Sequence, residues 1–342
     1  MKFCNLNKLI LFFLIILISG CKLEGNVQGK FIEQKIIPVV YDQGKVEGIY
    51  FCPRDDCSQK LSKLILNAKE RVHCAFFDLD LDEVINALNQ KSKKIDVKVV
   101  VDKDNYEIVE DLDFVNPDTR SAFMHNKFCV IDNKIMTGSF NPTINGAEKN
   151  NNNFILIQSS ILAKNYEDEF KELWNGEFGR GNQVQNPVVY LNETRIENYF
   201  CPEDLCSEKI KKVLEKAEDS IYLLVFSFTH DGIANKIVIK MHEGISVKGV
   251  FEKRGAGSEY SKFKLFEYQE ADVRKDNNSY VMHHKIFIID NSTVITGSFN
   301  PSSNADKRND ENILIIYDKE VASKYLEEFE YIWKNFSEIT DL

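Results

Sequence analysis

The sequence has no excess of positive charge. Its 342 residues contain 43 lysine and arginine residues against 53 aspartate and glutamate residues, which gives a net charge of −10. Removing residues 1–20, which contain Lys2 and Lys8 and no acidic residue, takes −10 to −12. Nonspecific binding of nucleic acid depends on a basic surface that neutralises phosphates. The composition therefore argues against a protein that coats nucleic acid, although an acidic protein can still contain a small basic pocket.

The sequence also has no extended low-complexity character and no apolar run long enough to cross a bilayer. Hydrophobic residues make up 43% and charged residues 28% of the chain, a mixture typical of a folded globular protein. The length predicts about two domains. The apolar run from Leu9 to Ile18 has ten residues, whereas a transmembrane helix needs about 20.

Residues 1–20 are typical of an export signal. A short positive region is followed by the apolar run and then by Ile18-Ser19-Gly20-Cys21. This segment resembles the lipobox of bacterial lipoproteins, which implies that Cys21 is acylated and becomes the first mature residue. An ordinary signal peptide followed by an unrelated cysteine is the alternative. Residues 21–34 are predicted to be a tether, so we expect a lipid-anchored protein of the bacterial cell envelope, periplasmic or at the cell surface.

Cysteine usage agrees with an exported protein. The spacing C-x4-C occurs twice, in Cys52 with Cys57 and in Cys201 with Cys206. In an oxidising compartment this spacing predicts two local disulfides, and a four-cysteine zinc site is the alternative. Cys74 and Cys129 lie in apolar, strand-like segments and are predicted to be buried thiols.

The chain contains an internal repeat. Residues 38–41 (PVVY) recur at 187–190 and residues 50–53 (YFCP) at 199–202, both displaced by 149, while residues 138–142 (GSFNP) recur at 297–301, displaced by 159. A period of this length predicts a duplicated domain rather than a solenoid. The segment 179–186 has no apolar periodicity and marks the boundary. The predicted domains are therefore residues 35–180 and 187–342.

Each half has the same coarse pattern of strands and helices. Apolar residues at helical spacing begin near Leu61 and Ile210, with Ser58 and Ser207 as the predicted N-caps. Apolar strands alternate with helices, and each half ends in a helix with an aromatic face that is assigned to the core: Tyr166, Phe170, Leu173, Trp174 in one half and Tyr325, Phe329, Ile332, Trp333 in the other. This alternation predicts an α/β fold with two tandem domains, each a mixed sheet flanked by helices.

Two polar segments carry the candidate chemistry. Each has the pattern H-x-K-x4-D followed by T-G-S-F-N-P: His125, Lys127, Asp132, Ser139 and Asn141 in the first half, and His283, Lys285, Asp290, Ser298 and Asn300 in the second. The apolar residues after each lysine indicate a strand, whose period of two places the histidine and lysine on one face. An imidazole beside an ammonium group suits an anionic phosphate, since the first can attack or donate a proton and the second balances charge.

With both motifs, the mature chain from about Pro38 onward resembles the phospholipase D superfamily. The resemblance implies that two halves meet around a pseudo-twofold axis with both motifs in one cleft. It implies cleavage of a phosphodiester through a phosphohistidine, without a metal or cofactor. His125 is expected to be the nucleophile and His283 the acid and base. The resemblance implies that the phosphoryl oxygens are held by four side chains: Lys127, Lys285, Asn141 and Asn300. Ser139 and Ser298 are expected to assist them, and Asp132 and Asp290 complete the two motifs.

The two halves differ at one position of interest. Residues 310–312 are Asp-Glu-Asn, and Glu311 resembles a family glutamate that orients the catalytic histidine. The first half has Asn151-Asn152-Asn153 in this place. Asn152 cannot supply a carboxylate, so the sequence predicts unequal surroundings for the two histidines.

The motifs do not separate the substrates of the superfamily. A lipid anchor and an acidic body favour a phospholipase that acts on membrane phospholipid. A metal-independent endonuclease is one alternative, and a weakly active surface binding protein is another. The duplication predicts a monomer that contains an internal pseudo-dimer.

Overall fold

The computed structural model describes residues 39–335 of the chain. The predicted signal peptide (1–20), the tether (21–34) and Cys21 lie outside the described residues, as do the outermost residues of both predicted domains. Within residues 39–335, none of the helices combines the length and the apolar character needed to cross a bilayer.

The elements of the first half follow the predicted alternation. They are β1 (Val39–Asp42), β2 (Lys45–Cys52), α1 (Cys57–Asn67), β3 (Arg71–Phe76), α2 (Asp82–Ser92), β4 (Asp96–Val101), a 3-10 helix (Lys103–Ile108), β5 (Val115–Pro117), β6 (Lys127–Ile131), β7 (Lys134–Gly138), α3 (Ile144–Glu148), β8 (Asn152–Gln158) and α4 (Ser160–Trp174).

The second half repeats this order, with two short helices in place of the 3-10 helix. Its elements are β9 (Val188–Leu191), β10 (Thr194–Cys201), α5 (Cys206–Leu214), β11 (Ser220–Val225), α6 (Asp231–His242), β12 (Ser246–Phe251), α7 (Lys253–Ala256), α8 (Phe263–Tyr268), β13 (Asp272–Lys275), β14 (Lys285–Ile289), β15 (Thr293–Gly297), α9 (Ser303–Lys307), β16 (Glu311–Tyr317) and α10 (Lys319–Asn335).

The sheets confirm the predicted fold class. Among the described residues, one sheet has seven strands in the order β2-β8-β7-β6-β3-β4-β5 and the other has nine in the order β1-β9-β10-β16-β15-β14-β11-β12-β13. Both are mixed, since β3, β4 and β5 run parallel, as do β11, β12 and β13, while the other pairs inside the repeated seven-stranded core are antiparallel. From β10 to β13 the second sheet repeats the strand order of the first.

Strand β1 departs from the repeat. It belongs to the first half in sequence but pairs in parallel with β9 at the edge of the second sheet, with Val39 opposite Val188 and Tyr41 opposite Tyr190. The segment from 175 to 187, where the domain boundary was predicted, contains neither helix nor strand. The described residues nevertheless fall within one compact unit, so the division at 180 and 187 stays a prediction.

The core that both halves share lies around helices α4 and α10. The predicted aromatic faces are buried there: Tyr166, Phe170 and Leu173 together with Tyr325, Phe329 and Ile332, while Trp174 and Trp333 are partly buried against the same core. These side chains meet residues of both sheets, such as Phe128 and Leu224. Burial of a large aromatic or aliphatic side chain contributes on the order of 2 kcal/mol, so this shared core holds the two halves together.

The predicted N-caps were wrong. Ser58 and Ser207 lie inside the first turn of α1 and α5. Asp56 caps α1 instead, since its carboxylate accepts a hydrogen bond from the Gln59 amide. The disulfide loops explain the shift, because Cys57 and Cys206 begin the helices and the residue before each has a left-handed conformation.

Three disulfides occur within residues 39–335. Cys52 pairs with Cys57 and Cys201 with Cys206, as predicted. The prediction that Cys74 and Cys129 are free thiols was wrong, because these two residues form the third disulfide. They lie directly opposite each other on the antiparallel strands β3 and β6, a pairing that sequence spacing does not indicate. The disulfides also remove the zinc alternative, and the described residues contain no cluster of His, Cys, Asp and Glu suited to a metal ion.

Candidate active site

The two histidines lie where the two halves meet. His125 precedes β6, and its backbone amide donates to the carbonyl of Asp310 in the second half at 2.9 Å. The second half mirrors this contact, since the His283 amide donates to the carbonyl of Asn151 at 2.9 Å. Each motif is therefore attached to the other half by its own backbone, which brings both into one site.

The imidazole rings are also paired across the halves. Nδ1 of His125 lies 2.8 Å from Oε2 of Glu311, and Nδ1 of His283 lies 2.9 Å from Oδ1 of Asn152. Glu311 begins β16 and Asn152 begins β8, so the two partners occupy the same position in their respective halves. The predicted inequality of the two histidines is thus present as a carboxylate beside one ring and an amide beside the other.

Contacts around Asn152 determine the tautomer of His283. The side-chain amide of Asn152 donates to the Gly146 carbonyl at 3.1 Å, which orients its oxygen towards His283. The carbonyl of Ser139 lies 3.1 Å from the same ring nitrogen. Since both oxygens can only accept, Nδ1 of His283 carries a hydrogen and Nε2 has a free electron pair in the neutral ring.

Glu311 fixes His125 in the same way. Its carboxylate accepts hydrogen bonds from the Ser298 hydroxyl at 2.7 Å and from the Asn309 amide at 3.5 Å. Burial raises the pKa of Glu311, whereas the positive charge of Lys127 and the bond from Ser298 oppose this shift. These donors favour the ionised carboxylate and burial opposes it, so that the pKa of Glu311 lies at about 8. In its ionised form Glu311 accepts the Nδ1 hydrogen of His125 and leaves Nε2 free.

Both imidazoles are held neutral in the free protein. Burial lowers the pKa of His125 well below its usual range, and the charges of Lys127 and Lys285 lower it further. Burial also lowers the pKa of His283, again with contributions from both lysines and from His125. Each histidine thus experiences the charges of the opposite motif, which is the electrostatic signature of a single site.

The two lysines lie beneath the histidines with little access to water. Lys127 is fully buried and Lys285 is 2% exposed. The ammonium of Lys127 donates to the His125 carbonyl at 2.7 Å, and that of Lys285 to the His283 carbonyl at 2.8 Å. Burial lowers the pKa of Lys127 to about 7, and burial together with Lys127 lowers the pKa of Lys285. Because an anionic ligand would stabilise the charged forms of both lysines, this poorly hydrated site favours such a ligand.

Two phenylalanines complete the site and were not singled out from the sequence. Phe77 follows β3 and Phe226 follows β11, and their rings lie 4.9 Å and 4.8 Å from the imidazoles of His125 and His283. The same rings face the ammonium groups of Lys127 at 5.0 Å and Lys285 at 4.9 Å. Phe77 and Phe226 are 149 residues apart, which is the offset of the repeat, and this correspondence could have identified them from the sequence.

Ser139 and Ser298 lie next to the residues that contact the two histidines. Both are fully buried, and their hydroxyls donate to the partners of the histidines: Ser139 to Asn152 at 3.3 Å and Ser298 to Glu311 at 2.7 Å. They therefore support the histidine partners, and their predicted assistance in holding phosphoryl oxygens stays a prediction. The preceding Gly138 explains the turn, since a Cβ there would lie 2.3 Å from the Asn153 carbonyl.

Asn141 and Asn300 lie at equivalent places after β7 and β15 and are half-buried. Within residues 39–335, neither side-chain oxygen has a hydrogen-bond partner. Their role in holding phosphoryl oxygens stays a prediction.

Asp132 and Asp290 do not belong to the site, which corrects their assignment as catalytic residues. Each lies at the far end of its strand, roughly 17 Å from the lysine that begins it, at about 3.3 Å per residue. The carboxylate of Asp132 accepts hydrogen bonds from the amides of residues 69–71 at 2.8 to 3.1 Å. Asp290 binds the amides of residues 218–220 in the same way. These aspartates fix the turn before β3 and β11.

A second layer of buried polar residues was also missed. Asn312 donates to Asn126 at 2.8 Å. In the other half Nδ1 of His284 lies 3.2 Å from Asn153, and Nε2 lies 3.1 Å from Glu328, which also forms an ion pair with Arg54. Asn126 and His284 are the middle residues of the two motifs, so aligning the motifs was the signal that identifies this layer.

Comparison with known proteins places these observations in a family. The family described as "Cardiolipin synthase, PLD-like domain" matches the chain twice, over residues 61–174 and 210–333. One match lies in each half of the repeat.

Curated relatives align with about two fifths of the chain. Phospholipase D of Rickettsia typhi is 36% identical over 142 residues, which are 41% of this chain and 69% of that protein. Phospholipase D of Rickettsia conorii is 32% identical over 140 residues, 41% of this chain and 70% of that protein. Mitochondrial cardiolipin hydrolase of Xenopus tropicalis is 30% identical over 153 residues, 44% of this chain and 71% of that protein.

A solved structure matches nearly the whole fold. Phosphatidylserine synthase of Haemophilus influenzae Rd KW20 superposes with a TM-score of 0.65, covering 86% of this chain and 88% of that chain at 17% identity. At this identity the match concerns the fold alone.

Proposed function

The chain belongs to the phospholipase D superfamily of phosphodiesterases, and from this premise we propose that it hydrolyses phospholipid to phosphatidic acid and an alcohol through a phosphohistidine. The observation that carries the proposal is the crossed pairing of His125 with Glu311 and of His283 with Asn152. It leaves two neutral imidazoles with free Nε2 atoms above two buried lysines.

The first step forms the covalent intermediate. The free electron pair on Nε2 of His125 attacks phosphorus, and the bond from phosphorus to the leaving oxygen breaks. His283, protonated on Nε2 once the phosphodiester anion is bound, gives this proton to the leaving alcohol. Positive charge develops on the His125 ring, and the Glu311 carboxylate at 2.8 Å stabilises it.

The second step releases the product. His283, now neutral, takes a proton from a water molecule, whose oxygen attacks phosphorus as the bond to Nε2 of His125 breaks. The products are phosphatidic acid and the regenerated histidine pair. Throughout, Lys127 and Lys285 balance the negative charge of the phosphoryl oxygens, which in turn favours their charged forms.

The choice of phospholipid rests on three supports of different kinds. The relatives named above are phospholipases D and a cardiolipin hydrolase. The net charge of −10 repels a long polyanion. The lipobox-like segment at Cys21 would hold a monomeric enzyme at the outer side of the cytoplasmic membrane, where phospholipid is abundant.

One assay tests the substrate. The purified protein is incubated side by side with mixed phospholipid vesicles and with single-stranded DNA. We expect release of phosphatidic acid and no shortening of the DNA. Cleavage of DNA without phosphatidic acid would identify an endonuclease. Binding without turnover of either would identify a surface binding protein.

A second experiment tests the anchor. A tether raises the effective concentration of a membrane substrate, so a Cys21→Ala variant that is still exported should lose far more activity on intact membranes than on a small soluble phosphodiester. The measurement is the ratio of the two rates in wild type and variant. An unchanged ratio would contradict a lipid anchor that serves the reaction.

A further inference from the structure

The two catalytic histidines have partners of different charge at the same structural position. Glu311 is fully buried and Asn152 is 1% exposed, so water does not compensate for the difference. The Ser298 hydroxyl donates to Glu311 at 2.7 Å, while the Ser139 hydroxyl lies 3.3 Å from the Asn152 oxygen and 3.1 Å from the Asn153 oxygen. The surroundings match in geometry and differ by one negative charge.

Within residues 39–335, His283 has no hydrogen bond or ion pair with a carboxylate. The groups with the largest effect on this ring are burial, Lys285, Lys127 and His125, all of which disfavour its charged form, while the carbonyl of Ser139 opposes them. Glu311, the carboxylate of the site, contacts His125. A protonated His283 therefore has amide and carbonyl oxygens beside it but no carboxylate partner.

We propose that hydrolysis of the phosphohistidine, and not its formation, limits turnover, and that Asn152 is the residue that sets this limit. The inference rests on the proposed function and adds to it the order of the two barriers. Asn152 acts through His283 and is therefore a positioning residue.

The charges in the two steps lead to this order. In the first step positive charge moves from His283 to His125, towards the Glu311 carboxylate, so the environment favours the transfer once substrate and proton are bound. In the second step His283 must gain a proton from water while His125 loses its phosphoryl group. Glu311 stabilises the intermediate that has to be broken, and Asn152 gives little support to the imidazolium that has to form. Both effects raise the second barrier relative to the first.

The wild-type enzyme tests this without any substitution. Phosphatidyl-p-nitrophenol and phosphatidylcholine, dispersed in the same detergent micelles, leave the same phosphatidyl group on the enzyme but release alcohols of very different acidity. We expect equal kcat values within about twofold and a burst of about one nitrophenolate per enzyme. Quenching at alkaline pH, where phosphohistidine survives, should yield the modified peptide with the phosphatidyl group on His125.

Substitution of the amide sharpens the test. Asn152→Asp supplies a carboxylate of the same size, and Asn152→Glu matches the length of Glu311. We expect about a tenfold rise in kcat and a smaller burst, while the rate constant of nitrophenolate release in a single turnover with enzyme in excess stays unchanged or falls. Asn145→Asp adds the same charge on the exposed side of nearby α3 and should leave both phases unchanged.

The outcomes separate this inference from the proposed function. Release of neither alcohol would contradict the proposed function itself. Turnover with no burst and with kcat values that differ by more than tenfold between the two substrates would overturn the inference alone. Recovery of the phosphatidyl group on His283 would overturn it as well, since the carboxylate would then support the base.

Discussion

The charged residues beneath the two motifs differ far more than the motifs themselves. Under His283, the second-half residues His284 and Glu328 connect to Arg54 of the opposite half by hydrogen bonds and an ion pair. The equivalent residues under His125 are Asn126, Glu169 and Glu203. There, burial raises the pKa of Glu169, and the charges of Glu203 and Asp310 raise it further.

This contrast shows which parts of the repeat the fold requires. Both halves build the same strand order and place a histidine and a lysine alike. In the second half the motif lies above the connected residues His284, Glu328 and Arg54. In the first half it lies above carboxyl groups that are close to one another. The geometry of the motifs therefore comes from the sheets and the shared aromatic core, and the charges below are free to differ in role.

The largest effect tests whether the two halves act as one site. His125→Ala and His283→Ala should each reduce kcat by about 10³-fold or more. The double variant should be hardly worse than either single one, because groups that act as a unit are non-additive. The measurement is kcat for all three variants on a soluble phosphodiester. Substantial activity in either single variant would mean that the halves work independently.

The second-largest effect is expected from a substitution that gives both histidines an amide partner. Glu311→Gln leaves an amide beside each ring, so the positive charge on His125 loses its support. We expect kcat to fall by about 10²-fold, with a slower burst phase in quench experiments. Glu320→Gln, on the exposed first turn of α10, is the control for the substitution. A variant with an unchanged burst would show that Glu311 has no part in phosphorylation.

Stability should respond in opposite directions in the two lower layers. Glu328→Gln leaves Arg54 and His284 without their carboxylate and should lower the free energy of unfolding by about 2 kcal/mol. Glu169→Gln should leave it unchanged or raise it at neutral pH, because a buried carboxyl among other carboxyls is replaced by a neutral amide. Glu327→Gln, on the exposed side of α10, is the control. Urea unfolding measures all three, and equal losses for Glu328→Gln and Glu169→Gln would contradict the contrast.

The pH dependence of unfolding isolates Glu169 further. Its folded-state pKa is raised above the ordinary value of 4.5, so the folded protein keeps a proton that the unfolded chain releases. The contribution of Glu169 to the free energy of unfolding therefore falls as the pH rises above about 4.5, until its folded-state pKa is passed. Glu169→Gln removes this slope. The gain in stability should be larger at pH 8 than at pH 5, and a gain that does not vary with pH would contradict the raised pKa.

We expect removal of metal ions to have no effect on kcat. The nucleophile that we propose is a histidine and not a metal-bound water, so kcat should survive incubation with EDTA. Loss of activity that added zinc or magnesium restores would contradict histidine as the nucleophile in either half.

The features that were predicted correctly from the sequence are mainly those that the internal repeat reveals. Two copies of each motif at constant offsets identified the duplicated domain, the strands after Lys127 and Lys285, and the inequality of Glu311 and Asn152. The local disulfides were also predictable, since only four residues lie between the two cysteines of each pair. These features depend on spacing along the chain or on comparison of the chain with itself.

The features that were missed depend on register and on contacts across the halves. Cys74 and Cys129 form a disulfide because β3 and β6 are neighbours in one particular register. Asp132 is part of a sequence motif and yet binds backbone amides at the far end of its strand. The ion pair of Arg54 with Glu328 joins residues 274 positions apart. Contacts between residues so far apart in the sequence cannot be predicted from residue spacing.

The crossed pairing of the histidines has a consequence for the history of the gene. If two identical chains formed this site, one codon would specify both residues that contact the imidazoles, and the two rings would have equal partners. Joining the copies in one reading frame gives each position its own codon. Asn152 and Glu311 could then diverge, so that mutation breaks the symmetry of the site while each half still supplies what the other needs.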